Sequence, residues 1–180
     1  AAHSYVERAR QILDPQITSL LGESYGRAYS LIQDLQSLKE LEEVINYVKT
    51  GNEQRRKHIY SLWQKRFMVQ PSEDLRAFQR SLNLRSIVID RTEEVDQYIQ
   101  FAQLAQNSGN PTLGSKVLNK MLQELISKMK TVGSVSENSQ KIQDDLAKVK
   151  ISIYENDYNN GKQERAIQML ENLIKNNEVK

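Results

Sequence analysis

The sequence predicts an all-α fold, a tetratricopeptide-like antiparallel helical-hairpin solenoid. Three observations predict it. The first is composition: only three prolines and seven glycines in 180 residues, with Leu, Gln, Glu and Lys abundant. The second is the stretch Glu94 to Leu122. Val95, Tyr98, Phe101, Ala102 and Ala105 recur at helical spacing, Asn107-Ser-Gly-Asn-Pro111 breaks the pattern, and Leu113, Val117, Leu118, Met121 and Leu122 resume it at once. Gly109 suits the positive φ of a helix C-cap and Pro111 a first helical turn. So short a turn folds the second helix back on the first. The third is a repeat of this layout 52 residues later. Gly109, Gly114, Leu118 and Leu122 match Gly161, Ala166, Leu170 and Ile174 position by position. Such a hairpin cannot bury its apolar face alone, which is the logic of a repeat array.

In chain order, residues 3–13 predict a short helix with Val6, Ala9, Ile12 and Leu13 on one side. Asp14-Pro15 is either the start of a new helix or a kink. Ile17, Leu20, Leu21, Ser24, Ala28, Leu31 and Leu35 make the next stripe. Gly22 and Gly26 lie four apart within it, and each costs about 1 kcal/mol against Ala in a helix interior. The compensation expected is a close crossing with a neighbouring helix. Ser37-Leu-Lys-Glu40 has the pattern of a capping box and predicts another helix start. That helix carries Leu41, Val44, Ile45 and Val48 and closes at Thr50-Gly51-Asn52.

The next helix is expected from Glu53 to Val69, with Ile59, Leu62, Trp63 and Phe67 as its stripe. Pro71-Ser-Glu-Asp74 predicts a further start, followed by Leu75, Phe78 and Leu82. Ile87-Val88-Ile89 is β-branched but too short for a strand of its own, so it is expected in a helix or at a helix end. The stretch 127–140 is polar and weakly patterned and is expected to be a mobile loop. The domain reading is one helical-repeat segment over 1–180. Its hairpins fall at approximately 15–50, 53–89, 93–126 and 142–176. The chain has no initiator Met and opens inside an apparent helix, so it is read as a fragment of a longer protein.

Charge and motifs exclude more than they assign. Twenty-five Lys and Arg against 23 Asp and Glu leave a formal charge of +2, which creates no field for nucleic acid or an anionic membrane. No apolar run reaches membrane-spanning length, so neither nucleic acid nor direct membrane insertion is expected. Zero cysteines exclude disulfides and thiolate metal sites. His3 and His58 lack metal-ligand spacing, and Glu7 beside His3 does not complete a zinc site. There is no phosphate-cradling glycine loop. The predicted catalytic, cofactor-binding and metal residues are therefore none, and no cofactor is expected.

Several features remain for structural or binding roles. Arg55-Arg56-Lys57 reads as a docking patch for an acidic partner or as a solvated face with carboxylate neighbours such as Glu42 or Glu43. The pairs Glu42-Glu43, Glu93-Glu94 and Asp144-Asp145 are expected on polar faces. The eight tyrosines are expected mostly on apolar stripes. Trp63 is expected in the core, with an interface hot spot as the other reading.

Gly22-Glu-Ser-Tyr-Gly-Arg-Ala-Tyr29, followed by Leu38-Lys-Glu-Leu-Glu-Glu-Val-Ile-Asn-Tyr47, resembles the FAT region of the target-of-rapamycin (TOR) protein kinases. So do Arg56 to Trp63, Leu84-Arg-Ser-Ile-Val88, Tyr98 to Ala105 with Asn107-Ser-Gly109, and the last hairpin through Glu164-Arg-Ala-Ile167. Asn110-Pro111 departs from the family's Arg at the turn, and residues 127–140 lack its proline. The resemblance implies a non-catalytic scaffold segment of a Ser/Thr kinase acting in nutrient and growth signalling. Its implied partners are the kinase domain and neighbouring repeats of the parent chain, and the regulatory subunits of a TOR complex. The implied setting is cytoplasmic, including lysosomal or vacuolar surfaces reached through that complex. The alternative is a free-standing tetratricopeptide-like adaptor that binds peptides or partner helices.

Overall fold

In the computed structural model, residues 2–69, 74–132 and 137–178 are described. Among them there are eight α-helices, one 3-10 turn and no strand. The chain divides into two compact units, residues 1–89 and 90–180, which are taken separately below.

The first unit contains α1 (Ala2–Glu23), α2 (Tyr25–Lys49), α3 (Glu53–Val69) and α4 (Leu75–Arg85). Its first hairpin corrects the sequence reading twice. Pro15 stands inside α1 and starts no new helix. The break falls instead at Ser24, whose extended backbone (φ −164°, ψ 130°) separates α1 from α2. Gly22 and Gly26 flank that break, where weak helix formers cost least. A Cβ on Gly22 would meet nothing within 4 Å, and one on Gly26 only the Ser24 hydroxyl at 3.7 Å. The close crossing expected there does not exist. Helix α1 folds back along α2, and Arg10 reaches Glu42 at 2.8 Å.

The capping box at Ser37 is also overturned. Ser37 lies inside α2 and its hydroxyl donates back to the Gln33 carbonyl at 2.9 Å. Glu40 is buried and accepts instead from Ser81 of α4 at 2.7 Å. Further on, local chemistry holds. Helix α2 ends at Thr50, and Asn52 accepts from the backbone N–H of Gln54 and Arg55 at the head of α3. Asp74 caps α4 by accepting from Arg76 and Ala77. Of the start expected at Pro71-Ser-Glu-Asp74 only Asp74 is described; residues 71–73 lie outside the described set. Ile87-Val88-Ile89 lies in the turn that follows α4, just past the helix, and the N–H groups of Val88 and Ile89 both donate to the Arg85 carbonyl.

The second unit runs through the 3-10 turn Arg91–Glu93, α5 (Val95–Asn107), α6 (Pro111–Val132), α7 (Glu137–Asn159) and α8 (Gln163–Glu178). Consecutive helices pack as hairpins, and α5 also meets α7, so the hairpins stack in order. Both turns use one device. Gly109 (φ 77°) donates to Gln106 while Asn110 donates to Ala105. Gly161 (φ 82°) donates to Tyr158 while Lys162 donates to Asp157. Each is a Schellman motif, with glycine in the left-handed region that other residues avoid. Residues 127–132 and 137–140, read from sequence as loop, are helical ends of α6 and α7. Residues 127–131 are exposed or half-buried, so their polarity reflects a solvated helix face, whereas Ser139 is buried. Residues 133–136 lie outside the described set.

Burial in this unit follows the predicted stripe of α5, but in α6 Leu113, Val117 and Leu122 of the predicted stripe are only half-buried. Tyr98, Phe101, Ala102, Ala105, Leu118 and Met121 are buried, and Leu125 extends the stripe by one turn. The last hairpin departs from expectation. Ala166 is buried, but Ile153 and Leu170 are only half-buried and Ile174 is 54% exposed. Helix α8 packs chiefly on α7, so its far face stays open.

Candidate interaction surfaces

In the first unit the polar chemistry converges on Trp63. This indole is fully buried, with Val44, Ile59 and Ile89 around it. The Tyr47 ring stacks on it, with centroids 5.6 Å apart. Its Nε1 donates to Glu43 at 2.8 Å, and Arg66 closes on the same carboxylate with two bonds of 2.7 and 2.6 Å. Burial alone would push the Glu43 carboxyl up. The bonds from Arg66 and Trp63 outweigh it and hold the group below its ordinary value. Arg85 is also buried: its guanidinium lies 3.9 Å from the Phe67 ring centroid, and its Nη1 donates to the Trp63 carbonyl. Trp63 is therefore core, as its position in the stripe predicts. Glu43 is structural rather than a solvated acid or a neighbour of the basic cluster.

The basic cluster itself divides. Lys57 pairs with Glu53 on an exposed face, and Arg56 lies over the Tyr47 ring and donates to the Tyr47 carbonyl. Glu42 is engaged by Arg10 and Lys39. The carboxylate neighbours expected from sequence are thus both wrong. The other carboxylate pairs also need correction. Glu94 and Asp145 are buried, so one member of each pair turns inward. Asp144 and Asp145 are adjacent on α7 and so point about 100° apart, which allows one to face the core while the other stays wet; Glu94 joins the 3-10 turn to α5. Of the tyrosines, Tyr5, Tyr25, Tyr29 and Tyr158 are exposed. His58 is exposed and His3 half-buried. Among the described residues no group of three His, Cys, Asp or Glu could hold a metal, and no helix is long and apolar enough to cross a membrane.

The second unit carries a groove that sequence reading missed. Helices α5 and α7, the leading helices of the two hairpins, enclose a cavity of about 240 Å³. Ile99, Ala102 and Leu118 supply its apolar surface. Gln103, Gln106 and Asn107 line it from α5, and Ser152, Glu155, Asn156 and Asn159 from α7. Asn156 is buried and fixed at both ends: it donates to Ser115 at 2.7 Å and accepts from Asn160 at 3.1 Å. The signal available in the sequence was the repeat register. Gln103 and Glu155, like Asn107 and Asn159, occupy equivalent positions in the two hairpins.

Comparison with known proteins places this architecture. The family model described as FAT domain matches residues 1–180. The chain is similar to serine/threonine-protein kinase TOR of Arabidopsis thaliana, 39% identical over 127 residues, or 67% of this chain. It is similar to serine/threonine-protein kinase TOR2 of Saccharomyces cerevisiae, 36% identical over 68% of this chain, and to serine/threonine-protein kinase mTor of Drosophila melanogaster, 34% identical over 67%. The aligned part is about 5% of the length of each of these relatives. On the match along its whole length, the chain belongs to the FAT domain family.

Proposed function

We propose that this chain is a non-catalytic helical scaffold segment of a TOR-type serine/threonine protein kinase, which positions the kinase domain and offers surface to other proteins. The observation that carries this reading is the FAT match over residues 1–180, together with relatives that are themselves named as TOR kinases. Its side-chain chemistry supports the same reading. The strongest polar groups, Glu40, Glu43, Arg66 and Arg85, are engaged in holding helices together. The sequence also has no glycine loop of the kind that cradles phosphates. On this reading the partners are the kinase domain and neighbouring repeats of the parent chain, and the regulatory subunits of a TOR complex. The setting is the cytoplasm, including lysosomal or vacuolar surfaces reached through that complex.

A second reading, a free-standing tetratricopeptide-like adaptor, is favoured by the amide-lined groove between α5 and α7. The catalytic question is tested by titrating magnesium-ATP into the purified 180-residue chain by calorimetry. The scaffold reading expects no saturable heat. Saturable binding, with phosphate transfer to a protein substrate, contradicts it.

A further inference from the structure

We propose that the groove between α5 and α7 binds a short extended stretch of polypeptide through its main chain. This goes beyond the scaffold reading and does not depend on the parent being a kinase. The cavity, about 240 Å³, is far larger than the roughly 30 Å³ share of one water. It is smaller than the roughly 300–1,000 Å³ of pockets that enclose a small-molecule ligand. Its size therefore suits part of a longer ligand better than a whole cofactor.

The lining then selects the chemistry. Gln103, Gln106, Asn107 and Asn159 are carboxamides, each offering N–H donors and a C=O acceptor. A peptide group carries the complementary acceptor and donor, so a carboxamide pairs with main chain whatever the side chains are. The side chains of these four, and those of Ser152 and Glu155, make no hydrogen bond with another of the described residues. By contrast, Asn156 at the floor is bonded on both sides and holds α7 against α6. The free carboxamides are thus carried on a fixed base, as a recognition surface needs.

Charge narrows the occupant further. Among the described residues Glu155 is the only ionisable group lining the cavity. A phosphate or an acidic peptide would face one carboxylate and no cation, which disfavours it. An uncharged stretch, or one carrying a single Lys or Arg opposite Glu155, fits. Gln103 and Glu155, and Asn107 and Asn159, are equivalent residues of successive hairpins. The repeat thus places matching groups on both walls, as an extended chain running between the helices requires.

The test is selection of a random dodecapeptide phage library on the whole 180-residue chain, followed by affinity measurement of the enriched synthetic peptides. The comparison is with Gln103→Ala/Asn107→Ala/Asn159→Ala, all exposed positions, and with the exposed control Gln168→Ala on α8. An unchanged thermal melt for the triple variant establishes that it folds. The proposal expects enriched peptides without net negative charge. Their affinity should drop at least about tenfold, roughly 1.4 kcal/mol, in the triple variant and stay unchanged in the control. The side-chain amide NMR signals of Asn107 and Asn159 should shift on binding. Overturning results would be no enrichment, equal binding by the triple variant, or enrichment of acidic peptides only.

Discussion

A Cβ built on Gly114 stands 2.8 Å from the carbonyl oxygen of Ala102. The backbones of α5 and α6 meet there with no room for a side chain, and neither backbone atom can rotate away. Gly114→Ala should therefore cost about 1–3 kcal/mol by overpacking, read as a lower denaturation midpoint. Gly26→Ala is the contrast. With only a 3.7 Å contact to meet, it should be neutral or stabilising by up to about 1 kcal/mol from helix propensity. An equal loss in both variants would show that the Gly114 contact has no special weight.

Phe101 is 2% exposed in the α5–α6 hairpin. Truncating it to Ala should cost about 3–5 kcal/mol, a large share of the roughly 5–15 kcal/mol that holds a domain folded. An unchanged melting temperature for Phe101→Ala would place the core of this unit elsewhere.

Glu43 accepts from both Trp63 and Arg66. Glu43→Ala should cost about 1.5–3 kcal/mol, as for lost bonds to a charged partner. Trp63 is the chain's one tryptophan, so its fluorescence reports the event directly. The emission should change in native conditions as the indole N–H loses its acceptor. An emission spectrum identical to that of the parent chain would contradict the bond.

Stability should fall in acid. Asp74, Asp90 and Glu43 are all held below their ordinary values. The backbone N–H of Ala77 leads at Asp74. At Asp90 and Glu43 burial opposes the shift but is outweighed, by Thr92 and Lys128 in one case and by Arg66 and Trp63 in the other. A depressed carboxylate contributes stability that is present above its unfolded value, 3.8 for Asp or 4.5 for Glu. That contribution is lost as pH falls through the lower folded value. Urea midpoints should therefore be level from pH 7 to about 5 and decline below about 4.5. Replacing Asp74 with Asn should flatten part of the decline.

How much of this was legible in the sequence depended on the range of the forces involved. The turns at Thr50 and Gly109, the helix start near Asp74 and the stripe through Phe101 were readable because each is decided by neighbours along the chain. The break at Ser24 was not. Gly22 and Gly26 fit one helical face as well as they fit a turn, and only the pairing of α1 with α2 decides between them. Ser37 and Glu40 matched a capping box by spacing, yet Glu40 is held by Ser81, 41 residues away. The inward turn of Glu43, Glu94 and Asp145 was hidden for the same reason: partners or packing from distant residues decide it. The groove carboxamides looked like solvated polar positions until α5 and α7 were seen side by side. Comparing Asn107 with Asn159 across the repeat would have flagged them.

The scaffold role is tested most directly in an intact TOR-type kinase carrying Gly114→Leu at the equivalent position, with Gly26→Ala as the control. The measurement is protein kinase activity and subunit recovery at matched protein levels. Gly114→Leu forces α5 and α6 apart, since even a Cβ there stands 2.8 Å from the Ala102 carbonyl oxygen. It should alter basal kinase activity or complex assembly, while Gly26→Ala leaves both at the parent level. Wild-type activity and assembly with Gly114→Leu, in a protein whose α5–α6 packing is measurably weakened, would contradict the proposal that this segment acts through its geometry.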